Sequence, residues 1–199
     1  ASGSGDLATS KESSLGPAAG QLALELGMGR GRVALQLFLS GATVIGVELA
    51  SERYGLAVAA LERLAHRCPQ RFEISRRTSQ AVRIRRVNGP KAAICEIRLG
   101  NFFDVVKGEE LEAATIIFMQ VCLPQPAWPR LRSLLLHTQV NCRILMYENL
   151  RKMWEGSHLP FESLGAPMLS CSWAPERGHR FHCYQRTAAP SAPAKSGRA

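Results

Sequence analysis

The chain has 199 residues, a formal net charge of +9 and an apolar fraction of 46%. That length suits one domain with a core large enough to be stable unaided, and the apolar content is ordinary for a globular protein rather than a disordered one. No uninterrupted apolar run reaches the roughly 18 residues of a membrane span, and the opening Ser, Gly and Ala residues lack the pattern of a secretory leader.

The surplus of positive charge favours an acidic partner, such as nucleic acid or a protein bound to it. Six cysteines (Cys68, Cys95, Cys122, Cys142, Cys171 and Cys183) form no C-x-x-C pair. They read as free thiols of a reducing compartment, and no metal site is expected.

Residues 1–20 are rich in Ser, Gly and Ala without hydrophobic periodicity and read as a flexible arm. Residues 21–26 form a short apolar strand ending in glycines. Residues 32–39 read as a helix stopped by Ser40-Gly41. Residues 42–48 are β-branched and strand-like. Ser51 is placed to cap a long helix reaching about Arg67, with Tyr54, Val58, Leu61 and Leu64 at three- and four-residue spacings and Pro69 after its end.

Residues 72–75, 82–87 and 91–99 read as strands, with Asn88-Gly89 as a hairpin turn between the last two. Val82 and Ile84 alternate with Arg83 and Arg85, giving one apolar and one basic face. From Arg71 to Arg98 there are eight basic residues against Glu73 and Glu96. This hairpin insertion, about 72–99, is expected to present Arg83, Arg85 and Arg86 to phosphates, away from the strand ends that bind a cofactor.

Residues 114–121 make another buried strand, 128–137 a helix and 142–147 a strand. Residues 168–173 and 180–186 look like a terminal antiparallel pair, and residues 188–199 a disordered tail. Strands alternating with helices imply an α/β, Rossmann-like fold. The sheet is mostly parallel with helices on both faces, and its last strand is antiparallel at the edge. The folded domain is expected to span 21–187.

The loop Glu25-Leu26-Gly27-Met28-Gly29-Arg30-Gly31 sits where the first strand turns into the first helix. Glycines permit the turn and let a ligand approach the backbone, and the helix N-terminus offers N–H groups to a carboxylate or phosphate. A dinucleotide fold needs G-x-G-x-x-G; here Arg32 occupies the third glycine position. An acid two residues before the first glycine suits a ligand with an amino-acid end and no pyrophosphate. Glu25 is expected to orient the loop or, through water, the ligand's ammonium.

Glu48 closes the second strand, 17 residues after Gly31, where a carboxylate can accept from ribose hydroxyls. Asn101 and the aromatic pair Phe102-Phe103 follow the strand ending at Leu99, placed for an adenine edge and ring face. Gln120 stands at the end of the next strand, the one side chain there with both donor and acceptor capacity, and is the candidate for positioning the substrate.

These residues resemble the class I S-adenosylmethionine-dependent methyltransferases. The run from Glu25 to Gln36, Gly46-Val47-Glu48 with Tyr54 beyond it, Gly100-Asn101-Phe102, Ile117-Phe118-Met119-Gln120 and Arg143-Ile144-Leu145 are similar to the disruptor-of-telomeric-silencing histone-lysine methyltransferases, the non-SET type. The resemblance implies a seven-stranded methyltransferase sheet over about 21–186. It also implies S-adenosylmethionine held by Gly27, Gly29, Gly31, Glu48, Asn101 and Phe102, with Glu25 and Met28 in the same loop. It further implies a basic, histone-like protein substrate and a nuclear location, an organelle being the other possibility.

Three departures stand out. Asn101 replaces the family's usual Asp, Gln120-Val121 replaces paired Asn residues, and the family's large amino-terminal helical region is missing or reduced to the first 20 residues. Two other functions remain open: a methyltransferase-like structural subunit of a ribonucleoprotein or other assembly, and a nucleic-acid methyltransferase. Against methylation of adenine amino groups, Gln120-Val121-Cys122-Leu123 stands where [D/N/S]-P-P-[Y/F/W] would be.

Overall fold

The computed structural model describes residues 21–88, 93–154, 158–171 and 174–188. The expected arm (1–20), most of the expected tail, Gly89 of the hairpin turn, Lys91 and Trp173 lie outside the described residues.

The chain opens with β1 (Leu22–Leu26), α1 (Arg32–Leu39), β2 (Thr43–Glu48) and α2 (Ser51–Arg67). A meander follows: β3 (Phe72–Arg77), β4 (Ala81–Arg86) and β5 (Ile94–Leu99). Next come two short helices, α3 (Phe102–Val105) and α4 (Gly108–Ala113), then β6 (Ala114–Met119), α5 (Trp128–Leu136), β7 (Arg143–Met146) and α6 (Leu150–Met153). The last strands are β8 (Phe161–Gly165), β9 (Met168–Cys171), β10 (Ala174–Arg180) and β11 (His182–Arg186).

Nine strands make one sheet in the order β3-β4-β5-β2-β1-β6-β7-β11-β8. Its centre, from β5 to β7, is parallel throughout. Parallel strands must be covered on both faces, and the residue alternation in each strand supplies the two apolar surfaces. In β1, Leu24 and Leu26 join the cluster that contains Leu131 and Leu135 of α5. Ala23 faces the other way, into a cluster with Ala34 and Phe38 of α1 and Ala57 and Leu61 of α2. Glu25 and Glu48 share the α1–α2 side with Ala23 and Val44 by the same alternation, and both are buried.

The expected parallel Rossmann-like core is present, with β4 and β3 added beside β5. The end of the chain differs from expectation. The terminal strand is antiparallel, but it is not an edge: β11 lies between β7 and β8, pairing with both. Of the expected pairing of 168–173 with 180–186, only Met168 with Arg180 forms among the described residues. β9 instead pairs with β10 in a separate two-stranded ribbon. The change comes at Phe181, which is 1% exposed and leaves the ribbon to pack inward beside Phe118 and Tyr147. Ser51 is also not a cap. It is the first residue of α2, and the N-cap is Ala50, without a side-chain hydrogen bond; the Ala50 N–H donates to Glu48 instead.

No helix among the described residues is long and apolar enough to cross a membrane. All six cysteines are free thiols, and no cluster of three metal-binding side chains occurs among the described residues.

Candidate cofactor cleft

The carboxyl ends of β1, β2 and β6 converge on the glycine loop. The N–H groups of Gly27 and Met28 both donate to the Val47 carbonyl, which ties the loop to the end of β2. Gly27 has φ +76°, and a Cβ there would stand 2.3 Å from Val121 Cγ1. A side chain at this position would therefore push the loop off the strand ends. Gly29 is different: φ is +58°, yet no atom lies within 4 Å of where its Cβ would be. It borders open space, as a ligand-facing glycine does. The Met28 side chain turns away and lies over Gly46, so only the backbone of this residue serves the cleft.

Two buried carboxyl groups shape the loop. Glu25 accepts from the Ala34 N–H at 2.6 Å, in the first turn of α1, where N–H groups have no intrahelical acceptor. Burial pushes its pKa up to about 8; the Ala34 amide pulls it back in part, and the neighbouring Glu48 raises it further. Glu48 accepts from Gly29 N at 2.8 Å and from Ala50 N at 2.8 Å, and Arg53 binds it through Nε at 3.2 Å and Nη2 at 2.9 Å.

The cleft has a volume of about 740 Å3. Glu25, Gly27, Gly29, Glu48, Gln120, Val121, Tyr147 and Cys171 line it. Arg30, Arg32 and Arg53 also line it. Arg53 is paired with Glu48, while Arg30 and Arg32 are exposed and make no ion pair among the described residues. Gln120 and Tyr147 each follow directly on neighbouring parallel strands whose last pair is Met119 with Met146.

The sequence candidates thus divide. Glu25, Gly27, Met28, Gly29, Glu48 and Gln120 come together at the cleft, and Gly31 sits just behind it at the start of α1. Asn101 and Phe102 stand outside the lining. Asn101 caps α3, its side-chain oxygen accepting from Phe103 N at 3.1 Å. Phe102 is 8% exposed and belongs to the core beneath. Their loop is nevertheless next to Glu48, because Gly100 N donates to the Glu48 carbonyl at 2.9 Å.

Arg53, Tyr147 and Cys171 were missed from sequence. Arg53 had a signal, standing five residues after Glu48 at the first turn of a helix. Tyr147 had one too, as the counterpart of Gln120. Cys171 had none, since its position depends on the excursion of β9 and β10.

The three arginines expected to meet phosphates, Arg83, Arg85 and Arg86, are engaged internally. Arg83 Nε donates to Glu96 at 2.6 Å, and Arg98 Nε to the other oxygen of Glu96 at 2.7 Å. Arg98 also binds Glu110 at 2.8 and 2.6 Å and the Val105 carbonyl at 3.0 Å. Burial alone would raise the Glu96 pKa, but the hydrogen bonds from Arg98 and Arg83 outweigh it and hold it below the ordinary range. Arg85 pairs with Glu73, and Arg86 donates to the carbonyls of Phe38 and Leu39 at the end of α1. A polyanion using Arg83, Arg85 and Arg86 would compete with those partners.

No family model and no curated protein matches the chain. Solved structures do. A magnesium protoporphyrin IX methyltransferase from Synechocystis PCC 6803 with bound S-adenosylmethionine aligns with TM-score 0.54 at 14% identity, over 85% of this chain and 71% of that one. A candidate tRNA methyltransferase from Streptococcus pneumoniae, also with S-adenosyl-L-methionine, aligns with TM-score 0.54 at 13% identity over 88% and 70%. An RNA methyltransferase from Salinibacter ruber with S-adenosyl-L-homocysteine aligns with TM-score 0.50 at 14% identity over 86% and 85%. The chain has the class I methyltransferase fold. None of these three structures points to the histone-lysine branch that the motifs resemble.

Proposed function

We propose that the chain binds S-adenosylmethionine in this cleft and methylates a nucleic acid. The observation that carries the reading is the cleft itself, walled by an open Gly29, two buried carboxyl groups and the ends of β6 and β7. The residues fit the cofactor. The first-turn N–H groups of Arg32 and Val33 suit its carboxylate and Glu48 its ribose, while Glu25 orients the loop through Ala34 N–H. When bound, the cofactor supplies an electrophilic methyl group on a sulfonium sulfur. The protein's task is then to place an acceptor in line at the ends of β6 and β7 and exclude water.

Charge separates the acceptor classes. Near neutral pH Glu25 is largely protonated and the Glu48 charge is matched by Arg53, which leaves Arg30 and Arg32 uncompensated at the cleft. A cationic lysine approaching there meets repulsion; a phosphate backbone meets attraction. This favours a nucleic-acid acceptor over the histone-like lysine that the motifs imply. The three structures include one named for RNA and one for tRNA.

The test is calorimetric titration with S-adenosylhomocysteine and with NAD, followed by transfer of labelled methyl to RNA, DNA and histones. Binding of S-adenosylhomocysteine, much weaker binding of NAD, and loss of binding in Gly29→Arg are expected, because that side chain would fill the cleft. Equal affinity for NAD overturns the cofactor assignment. Label on histone lysine alone overturns the acceptor class, and cofactor binding without transfer to any of the three identifies a structural subunit.

A further inference from the structure

We infer that Arg53 is a placeholder for the cofactor's ribose: it holds Glu48 before the cofactor binds and gives way when the two ribose hydroxyls arrive. This rests on the reading of Glu48 as the ribose acceptor and adds a residue that sets cofactor affinity at that site. An ionised carboxylate has about four lone-pair sites. Glu48 Oε2 accepts from Gly29 N, and Oε1 accepts from Ala50 N and from both Nε and Nη2 of Arg53. The buried carboxylate is therefore fully satisfied as it stands, its side chain 3% exposed. With Oε1 already carrying three of those donors, a pair of adjacent hydroxyls, one donating to each oxygen, finds no room there.

Of these donors, Arg53 is the one that can leave without moving backbone. Gly29 N–H belongs to a loop whose Gly27 and Met28 are fastened to the Val47 carbonyl, and Ala50 is the N-cap of α2. Arg53 reaches back from the first turn of that helix, and its side chain is 58% exposed. An ion pair with so exposed a partner is weak, because water screens it and the long side chain must be held in one geometry. On release the guanidinium regains hydration and rotamer freedom. The ribose arrives already placed by the cofactor's other contacts, so its hydroxyls need little further ordering. The glycine loop and its backbone ties stay as they are, and the freed guanidinium remains in the lining with Arg30 and Arg32.

The probes are S-adenosylhomocysteine and its analogue lacking the 2′ and 3′ hydroxyls, titrated calorimetrically into the full chain. Arg53→Met keeps the aliphatic stem and removes the donors. It should tighten S-adenosylhomocysteine binding about two- to fivefold, the worth of an exposed ion pair expressed as affinity, and leave the analogue bound as in wild type. Comparing the two ligands cancels any effect of the Arg53 charge that both feel. Arg53→Lys, which retains a cation able to pair with Glu48, should lie between. In nitrogen-labelled wild type, the Arg53 Nε–H resonance should shift on adding S-adenosylhomocysteine and stay in place on adding the analogue. A merely structural role for Arg53 would not produce that difference.

A loss of S-adenosylhomocysteine affinity in Arg53→Met that the analogue does not share overturns the placeholder role, since Arg53 would then be holding Glu48 in shape for the ribose. An Arg53 resonance indifferent to S-adenosylhomocysteine overturns it as well. Equal affinities for the two ligands in Arg53→Met, where nothing competes for Glu48, overturn the ribose role of Glu48 and leave the cofactor cleft standing. Failure of wild type to bind S-adenosylhomocysteine overturns the functional reading, and the role of Arg53 with it.

Discussion

Replacing Glu25 by glutamine should remove a pH dependence of stability that the native chain carries. Glu25 is 1% exposed, and its pKa rises from 4.5 to about 8 on folding. Between those values the folded chain keeps a proton that the unfolded chain has given up. The associated stability is fully present below about pH 4.5 and is lost as pH rises through about 8. Each pKa unit is worth about 1.4 kcal/mol, so the whole interval corresponds to roughly 5 kcal/mol. Between about pH 5.5 and 8.5 the linkage relation gives a loss of about 3 kcal/mol.

Glutamine keeps a carbonyl oxygen for the Ala34 N–H, which Glu25 now holds at 2.6 Å, and cannot ionise. Urea unfolding of both proteins across that window is the assay, and the difference between them cancels the titrating groups that are not coupled to Glu25. Wild type should lose about 3 kcal/mol more than Glu25→Gln over the window. Parallel stability curves would refute the reasoning, because they would mean that Glu25 is already ionised within the fold.

Two further outcomes follow from the same geometry. Glu48→Ala should weaken S-adenosylhomocysteine binding by about 1.5–3 kcal/mol, the range for hydrogen bonds to a charged group; an unaltered titration would reduce Glu48 to a tie for Gly29 and Ala50. Arg83→Ala leaves the buried Glu96 with Arg98 as its remaining side-chain partner. It should cost about 1–3 kcal/mol of stability and, through the Arg98 hold on Val105, weaken cofactor binding. Chemical unfolding and calorimetry read the two effects, and if neither moved, the hairpin would be independent of the loop carrying Asn101.

That last expectation reverses one drawn from the sequence, and the reason is instructive. The alternation Val82-Arg83-Ile84-Arg85 separated Val82 and Ile84, which are buried, from the arginines between them. It could not say that Glu96, across the ladder from Arg83, would turn the basic face into an internal ion-pair chain. The same division runs through the cleft. Glu25, Gly27, Gly29 and Glu48 were legible because strand alternation and glycine spacing are local. Phe102 was not separable from Phe103 by any local signal, and burial chose Phe102 for the core. At the carboxyl end, apolar residues 168–171 read equally well as a main-sheet strand or a ribbon, and the burial of Phe181 decided between them.

The contacts of Glu48 have a consequence for how a ligand would arrive. Its oxygens already fasten Gly29, Ala50 and Arg53, and Gly27 and Met28 are fastened to Val47. The conformational entropy of the glycine loop is therefore spent when the chain folds rather than when the cofactor binds. A small molecule entering a cradle of this kind meets a rigid host: association has no ordering step to wait for, and affinity is set by contacts rather than by the cost of building the site.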